Sequence, residues 1–199
     1  MFDMQTQTIV FFGPQGSGKG TQTATLIDYL KSNDDRPVID LETGRGFREM
    51  TKLDTYTGER VRDLLENGEL VPNFLVSSIV MSEVAERLTI DSHLVIDGFP
   101  RNVDQARVLE QMLSFYKRPS LTVIGLDVPD DVVIKRMMGR GRADDTPELI
   151  SERLRLYHEQ TKPLIEHYND RPNTNFVHID GSQSIKAVWE EIKTNLESQ

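Results

Sequence analysis

The most constraining stretch of the chain is Gly13-Pro14-Gln15-Gly16-Ser17-Gly18-Lys19-Gly20-Thr21, a glycine-rich turn between an apolar run and a helical pattern. The run before it, Thr8 to Phe12, carries Ile9, Val10, Phe11 and Phe12 without a break, which predicts a short buried strand. After the turn, Leu26, Ile27 and Leu30 recur at helical spacing, so a helix is expected to about Leu30. Glycines let the backbone turn tightly and approach a ligand. Successive N–H groups then converge on one concavity, and the helix dipole adds positive potential there. Such a place suits a phosphate; a glycine turn with no ligand is the plainer alternative.

Lys19 can reach terminal phosphates, and a nearby hydroxyl can hold a magnesium ion. The stretch is therefore a P-loop with one irregularity. The usual pattern places Ser or Thr directly after the lysine, whereas here Gly20 intervenes before Thr21.

Charge and composition narrow the field. The chain has 199 residues and a net charge of −9, which argues against broad nucleic-acid binding. An acidic protein that handles phosphates must gather its positive charge locally. It does so at Arg45 and Arg48, and again at Lys135, Arg136, Arg140, Arg142, Arg153 and Arg155. There are no cysteines, which excludes disulfides, thiolate zinc sites and a cysteine nucleophile. His93, His158, His167 and His178 lie far apart without ligand-like spacing, so surface or packing roles are expected. No apolar run approaches a membrane span, and Met1 to Gln7 lacks the basic start and apolar segment of an export signal. A cytoplasmic location is expected.

Further strands are expected at Pro37–Leu41, His93–Asp97, Leu121–Leu126 and Asn175–Ile179. Between Thr43 and Val71 no strand is evident. A turn and short helix at 42–48, then a helix Glu59–Glu66 stopped by Asn67-Gly68, read as a helical flap inserted in the core. Helices are expected from Pro72 to about Leu88, over Val103–Tyr116, from Pro129, from Pro147 in one run to about Tyr168, and over Ile185–Leu196. This alternation predicts an α/β fold: a doubly wound, five-stranded parallel sheet flanked by helices. In such sheets ligands bind beyond the carboxyl ends of the strands, so Asp97 and Arg101 belong on the same rim as the P-loop. Asp97 resembles the acidic position that orders magnesium; capping the following turn is its plainer role.

Three motifs, Gly13 to Gln22, Asp97-Gly98-Phe99-Pro100-Arg101, and Gly139-Arg140 with Arg142-Ala143-Asp144-Asp145, occur in the order and spacing of adenylate kinases. The resemblance runs from about Thr8 to Gly181, and the glycine after Lys19 is itself that family's form of the loop. It implies magnesium-dependent transfer of the terminal phosphoryl group of ATP to AMP, giving two ADP, in adenine nucleotide homeostasis. It also implies a core over 1–41, 72–138 and 148–199, an AMP-binding insertion over 42–71, and a short lid over 139–147 without structural zinc. A monomer is expected on the same ground.

By the same resemblance, Gly16, Ser17, Gly18, Lys19, Gly20 and Thr21 cradle the ATP phosphates, and Asp97 with Thr21 holds the hydrated magnesium. Arg136 lies near the ATP base, Arg140 at the phosphates, and Gln183 near the base. Thr43, Arg48, Glu69, Leu70, Val71, Gly98, Phe99, Pro100, Arg101 and Gln105 match the AMP site, while Arg142 and Arg153 match arginines that close over the phosphates. Lys19, Asp97, Arg101, Arg140, Arg142 and Arg153 thus form the implied catalytic set. The family's usual aspartate after Thr43-Gly44 is replaced by Arg45, which puts an added charge beside the expected AMP phosphate.

The residue types suit the chemistry. A loose phosphoryl-transfer transition state spreads charge over equatorial oxygens and needs fixed cations rather than a dedicated base. Four guanidiniums, on Arg101, Arg140, Arg142 and Arg153, can grip phosphate oxygens through paired donors, although a basic cluster alone is usually a solvated face. A UMP/CMP kinase is the close alternative. Thr43 and Gln105 lean towards adenine, while Asn102 is also a feature of the pyrimidine group. A non-catalytic nucleotide sensor is the more distant alternative, and it would not need the acceptor grips.

Overall fold

A computed structural model describes residues 6–142 and 145–198. Ala143 and Asp144, part of the third motif and of the expected lid, lie outside the described residues, as do residues 1–5 and 199. Strand β1 (Thr8–Phe12) leads through the glycine turn into α1 (Lys19–Asn33). Strand β2 (Val38–Glu42) is followed by α2 (Thr43–Met50), α3 (Tyr56–Glu66) and α4 (Asn73–Arg87). Then come β3 (His93–Asp97), α5 (Val103–Phe115), β4 (Leu121–Asp127) and α6 (Asp130–Gly139). Helix α7 (Pro147–Leu156), a π turn (Tyr157–Thr161), α8 (Pro163–Asn169), β5 (Thr174–Asp180) and α9 (Ile185–Glu197) complete the chain.

All five strands are parallel, in the order β2-β3-β1-β4-β5. The unbroken apolar run of β1 follows from this position. Successive side chains of a strand point to opposite faces, and a central strand is covered on both. Ile9 and Phe11 face Leu26 and Leu30 of α1 and Val188 and Ile192 of α9. Val10 and Phe12 face α4, α5 and α8 through residues such as Val80, Leu109 and Tyr168. Phe12 and Tyr168 meet with ring centroids 5.5 Å apart. A smaller cluster of Val133, Met137, Ile150 and Leu154 packs α6 against α7.

The register sets the site. Glu42 of β2 pairs with Asp97 of β3, which pairs with Phe11 of β1, so three strands end on one level. The segments that follow them begin with Thr43, the first residue of α2, and with Gly98 and Gly13 of two turns.

Two local expectations are corrected. Strand β2 runs directly into α2 without the expected turn: Glu42 is the last extended residue and Thr43 the first helical one. The helix expected as one run from Pro147 is interrupted by the π turn, where the Lys162 N–H donates to the Tyr157 carbonyl at 2.8 Å. Pro163 supplies the reason. Its nitrogen cannot donate to the preceding turn, so the chain widens before α8 restarts with Pro163 in its first turn.

At the opposite pole His93 is fully buried. Its Nδ1 accepts the Gln7 N–H at 3.1 Å, and Nε2 meets Asp34 Oδ2 at 3.2 Å. Beside it Arg118 donates to Thr8 Oγ1 at 2.9 Å and to the carbonyls of Gln7 and Ser92 at 3.0 and 2.8 Å. This pole closes the bottom of the sheet.

Candidate active site

The carboxyl ends of the strands open into a cleft of about 1060 Å³. That exceeds the upper part of the ~300–1,000 Å³ range for a single small-molecule site, leaving room for two ligands end to end. Among the described residues its walls carry seven cations, Lys19, Arg48, Arg101, Arg136, Arg140, Arg142 and Arg153, against four carboxylates, Glu42, Glu66, Glu69 and Asp97. On a chain of net charge −9 this is a local reversal of sign that attracts anions.

The glycine turn forms one end. Gly16 has φ +90°, and a Cβ on it would lie 2.6 Å from Met137 Cγ, so only glycine fits between the turn and α6. Helix α1 starts after Gly18 with no side-chain cap and no acidic residue in its first turn. Its first N–H groups are therefore available to an anion. The Lys19 ammonium folds back over the turn and donates to the carbonyls of Gly13 and Pro14 at 2.7 and 2.9 Å. Burial lowers its pKa to about 8; the Asp97 carboxylate opposes that shift, and Arg101 and Arg140 reinforce it. Gly20 and Thr21 line the cleft beside it.

Asp97 ends β3 within the same wall. Burial raises its pKa while Lys19 and Arg101 pull it down, and its Oδ1 is buried without a hydrogen-bond partner in the protein. A buried carboxylate oxygen without a protein partner, on a residue that lines a cationic cleft, is the type of group that can hold a metal-bound water. Among the described residues no cluster of three or more His, Cys, Asp or Glu side chains forms a metal cage.

The other end of the cleft is built by α2, the 67–72 segment and the β3–α5 turn. Thr43 Oγ1 and Arg101 Nε both donate to the Gly98 carbonyl, at 3.1 and 3.0 Å. Gly98 has φ +84°, and a Cβ there would lie 2.5 Å from Thr43 Oγ1. Arg101 is half-buried in the cleft wall, and desolvation there lowers its pKa, opposed by Asp97. Arg48 donates to Glu42 Oε1 at 2.7 Å, and Glu69, Leu70 and Val71 line the wall with Pro100, which follows a cis peptide bond.

The arm from α6 to α7 supplies the rest. Asp145 bridges Arg140, through two contacts of which one is 2.8 Å, and Arg153, at 3.2 Å. Hydrogen bonding from Arg140 holds the Asp145 carboxyl below its ordinary range despite burial, with Arg153 and Arg142 adding to the effect. Arg142 lines the cleft from an exposed position. Arg136 donates to Gly181 at 2.8 Å, Ser182 at 3.2 Å and Ser17 at 3.3 Å, all backbone carbonyls, and so ties the glycine turn to the β5–α9 turn.

Several expected residues sit elsewhere. Ser17 is buried beneath the turn with an unpartnered Oγ, and Phe99 belongs to the core. Gln183 lies outside the cleft lining and its amide donates to Glu191 at 3.3 Å. Gln105 is 3% exposed and stands behind the wall, its amide committed to neighbours described below. Arg45 does not add charge beside the acceptor pocket. It folds onto the edge strand, donating to Asp40 Oδ2 and to the Asp40 carbonyl at 2.9 Å each. Lys135 and Arg155 likewise lie outside the lining; Arg155 pairs with Glu152 and Glu159. Lining residues without a sequence signal include Phe47, Leu65, Tyr157 and Thr161. Glu42 could have been found, because it ends a strand at the same rim as Asp97.

Comparison with known proteins agrees with this geometry. A family model described as adenylate kinase matches residues 11–173. The adenylate kinase of Prochlorococcus marinus (strain MIT 9515) is 38% identical over 188 residues, covering 94% of this chain and 97% of that protein. Adenylate kinase 1 of Nostoc sp. is 39% identical over 190 residues, covering 96% and 98%. The adenylate kinase of Thermus thermophilus is 34% identical over 194 residues, covering 96% and 97%.

Proposed function

The chain belongs to the adenylate kinase family, and from that premise we infer that it transfers the terminal phosphoryl group of ATP to AMP, giving two ADP, in this cleft. The observation that carries the reading is the meeting, in one cavity, of an uncapped helix N-terminus with Lys19 at one end and Arg48 and Arg101 at the other. Arg140, Arg142 and Arg153 flank the space between.

In this reading the N–H groups of Gly16 to Gly20 and the Lys19 ammonium hold the β- and γ-phosphates of ATP. Arg48 and Arg101 hold the AMP phosphate, whose oxygen forms the new bond to the γ-phosphorus as the bond to the β–γ bridging oxygen breaks. The phosphate nucleophile needs no base, so the chain contributes position and charge. Arg140, Arg142 and Arg153 lie where equatorial oxygens gain charge, with bidentate donors suited to them. Arg136, which lines the cleft and is tied to the β5–α9 turn, would border the adenine end of ATP.

Magnesium fits the residues present: Asp97, through its orphaned Oδ1, and Thr21 would hold its water shell, and the ion supplies charge neutralisation at the phosphates. The segments 42–71 and 139–147 are read as the two arms that close over AMP and ATP and exclude water. Among the described residues no helix is long and apolar enough to cross a membrane. A monomeric, cytoplasmic enzyme is the proposal that accompanies this reading. Incubation with ATP, magnesium and AMP tests it, with ADP formation expected and its absence counting against it.

A further inference from the structure

Gln105 is almost fully buried and its carboxamide is held at both ends. Its Oε1 accepts the Arg101 backbone N–H at 2.8 Å, and its Nε2 donates to Asn73 Oδ1 at 2.9 Å. The same Asn73 oxygen accepts from Asn102 Nδ2 at 2.8 Å. Asn102 in turn caps α5, its Oδ1 accepting the Gln105 N–H at 3.1 Å. Asn73 is the first residue of α4, one residue beyond the segment 42–71, whereas Arg101 and Asn102 belong to the β3–α5 turn and Gln105 to the first turn of α5.

An amide presents oxygen at one end and NH2 at the other, so its orientation is set by its partners. The Asn73 oxygen only accepts and the Arg101 N–H only donates. A flipped Gln105 would face oxygen to oxygen at one end and donor to donor at the other. One N–H and one Oε1 lone pair then remain uncommitted, a donor–acceptor pair in fixed order. The Arg101 backbone is pinned from its other side as well, where its carbonyl accepts from Thr161 Oγ1 at 2.9 Å.

We propose that Asn73 is a positioning residue of the acceptor site: its side-chain oxygen fixes the direction of the Gln105 amide and, through it, the backbone of Arg101. The inference rests on the reading of Arg101 and Gln105 as acceptor-site residues. It makes the start of α4, where the chain re-enters the core after the 42–71 segment, part of the apparatus that selects the monophosphate, through one oxygen rather than through direct contact.

Two variants separate this from a general role at the start of α4. Asn73→Ala removes the acceptor, whereas Asn73→Asp keeps an oxygen for both donors. With Asn73→Ala, KM for AMP should rise about tenfold, the size of one hydrogen bond to a buried amide, while KM for ATP changes less than about twofold. The preference for AMP over CMP should fall in parallel, hydrogen exchange at the Arg101 N–H should accelerate, and Asn73→Asp should restore all three. Wild-type AMP kinetics and exchange in Asn73→Ala would overturn the proposal. So would equal impairment of both variants, which would assign the effect to the helix start. If the wild-type chain takes another monophosphate, the function reading falls, and exchange at Arg101 still decides the positioning claim.

Discussion

The Lys19 ammonium donates to the Gly13 carbonyl at 2.7 Å, so the glycine turn offers this lysine the acceptors that phosphate oxygens offer it in the proposed complex. The same burial that makes the contact possible brings its pKa to about 8. The residue is therefore partly neutral in mildly alkaline solution and regains its proton when an anion arrives.

Proton uptake on ATP binding follows. At pH 8 the free lysine is about half ionised, and triphosphate raises its pKa, so roughly half a proton should be taken up per ATP bound. Calorimetric titration in two buffers of different ionisation enthalpy measures this. Lys19→Met should abolish the uptake and reduce turnover by orders of magnitude; undiminished uptake in that variant would remove Lys19 from the account.

Glu42 occupies Arg48 through a contact of 2.7 Å, with both side chains more than a third exposed, at 38% and 56%. Such a pair is worth no more than about 1 kcal/mol, so the carboxylate is a weak rival to the AMP phosphate. Glu42→Gln should lower KM for AMP by up to about fivefold and leave KM for ATP unchanged. An increase in KM for AMP would show that Glu42 holds Arg48 in its working position instead.

Acid stability should depend on His93. Burial lowers its pKa; the hydrogen bond and charge of Asp34 oppose that shift, and Arg36 and Arg118 reinforce it. Its folded pKa lies below the ordinary value of about 6.5, so the unfolded chain binds the extra proton first. Its contribution is thus complete above that value and is lost as pH falls from it towards the folded pKa, at no more than about 1.4 kcal/mol per pH unit. Urea midpoints at pH 7 and 5.5 should differ more for the wild type than for His93→Gln; equal differences would exclude His93 as the cause.

How far the sequence disclosed this arrangement differs between elements. Strands β1, β3 and β4 are buried on both faces and therefore read as continuous apolar runs, and the carboxyl-end rule placed Asp97 and Arg101 beside the glycine turn. The π turn was not legible, because Tyr157 and Thr161 fit a regular helix until Pro163 is considered together with the carbonyls before it. Arg45 reads from the sequence as charge added beside the AMP phosphate; its pairing with Asp40, across the β2–α2 junction, was not legible there. Gln105 reads from the sequence as an acceptor-site amide, but its bond to Asn73, 32 positions away, was not legible, because only tertiary structure brings the two together.

The central claim is that this cleft joins ATP to AMP. The most direct measurement is ADP formation by the purified chain with ATP and magnesium, offering AMP, CMP, UMP and GMP separately. AMP should be the preferred acceptor by a wide margin, consistent with a base edge paired to fixed donors and acceptors. Preference for CMP or UMP would keep the phosphate grips but contradict the acceptor assignment, and binding of ATP with no transfer to any acceptor would contradict the claim itself.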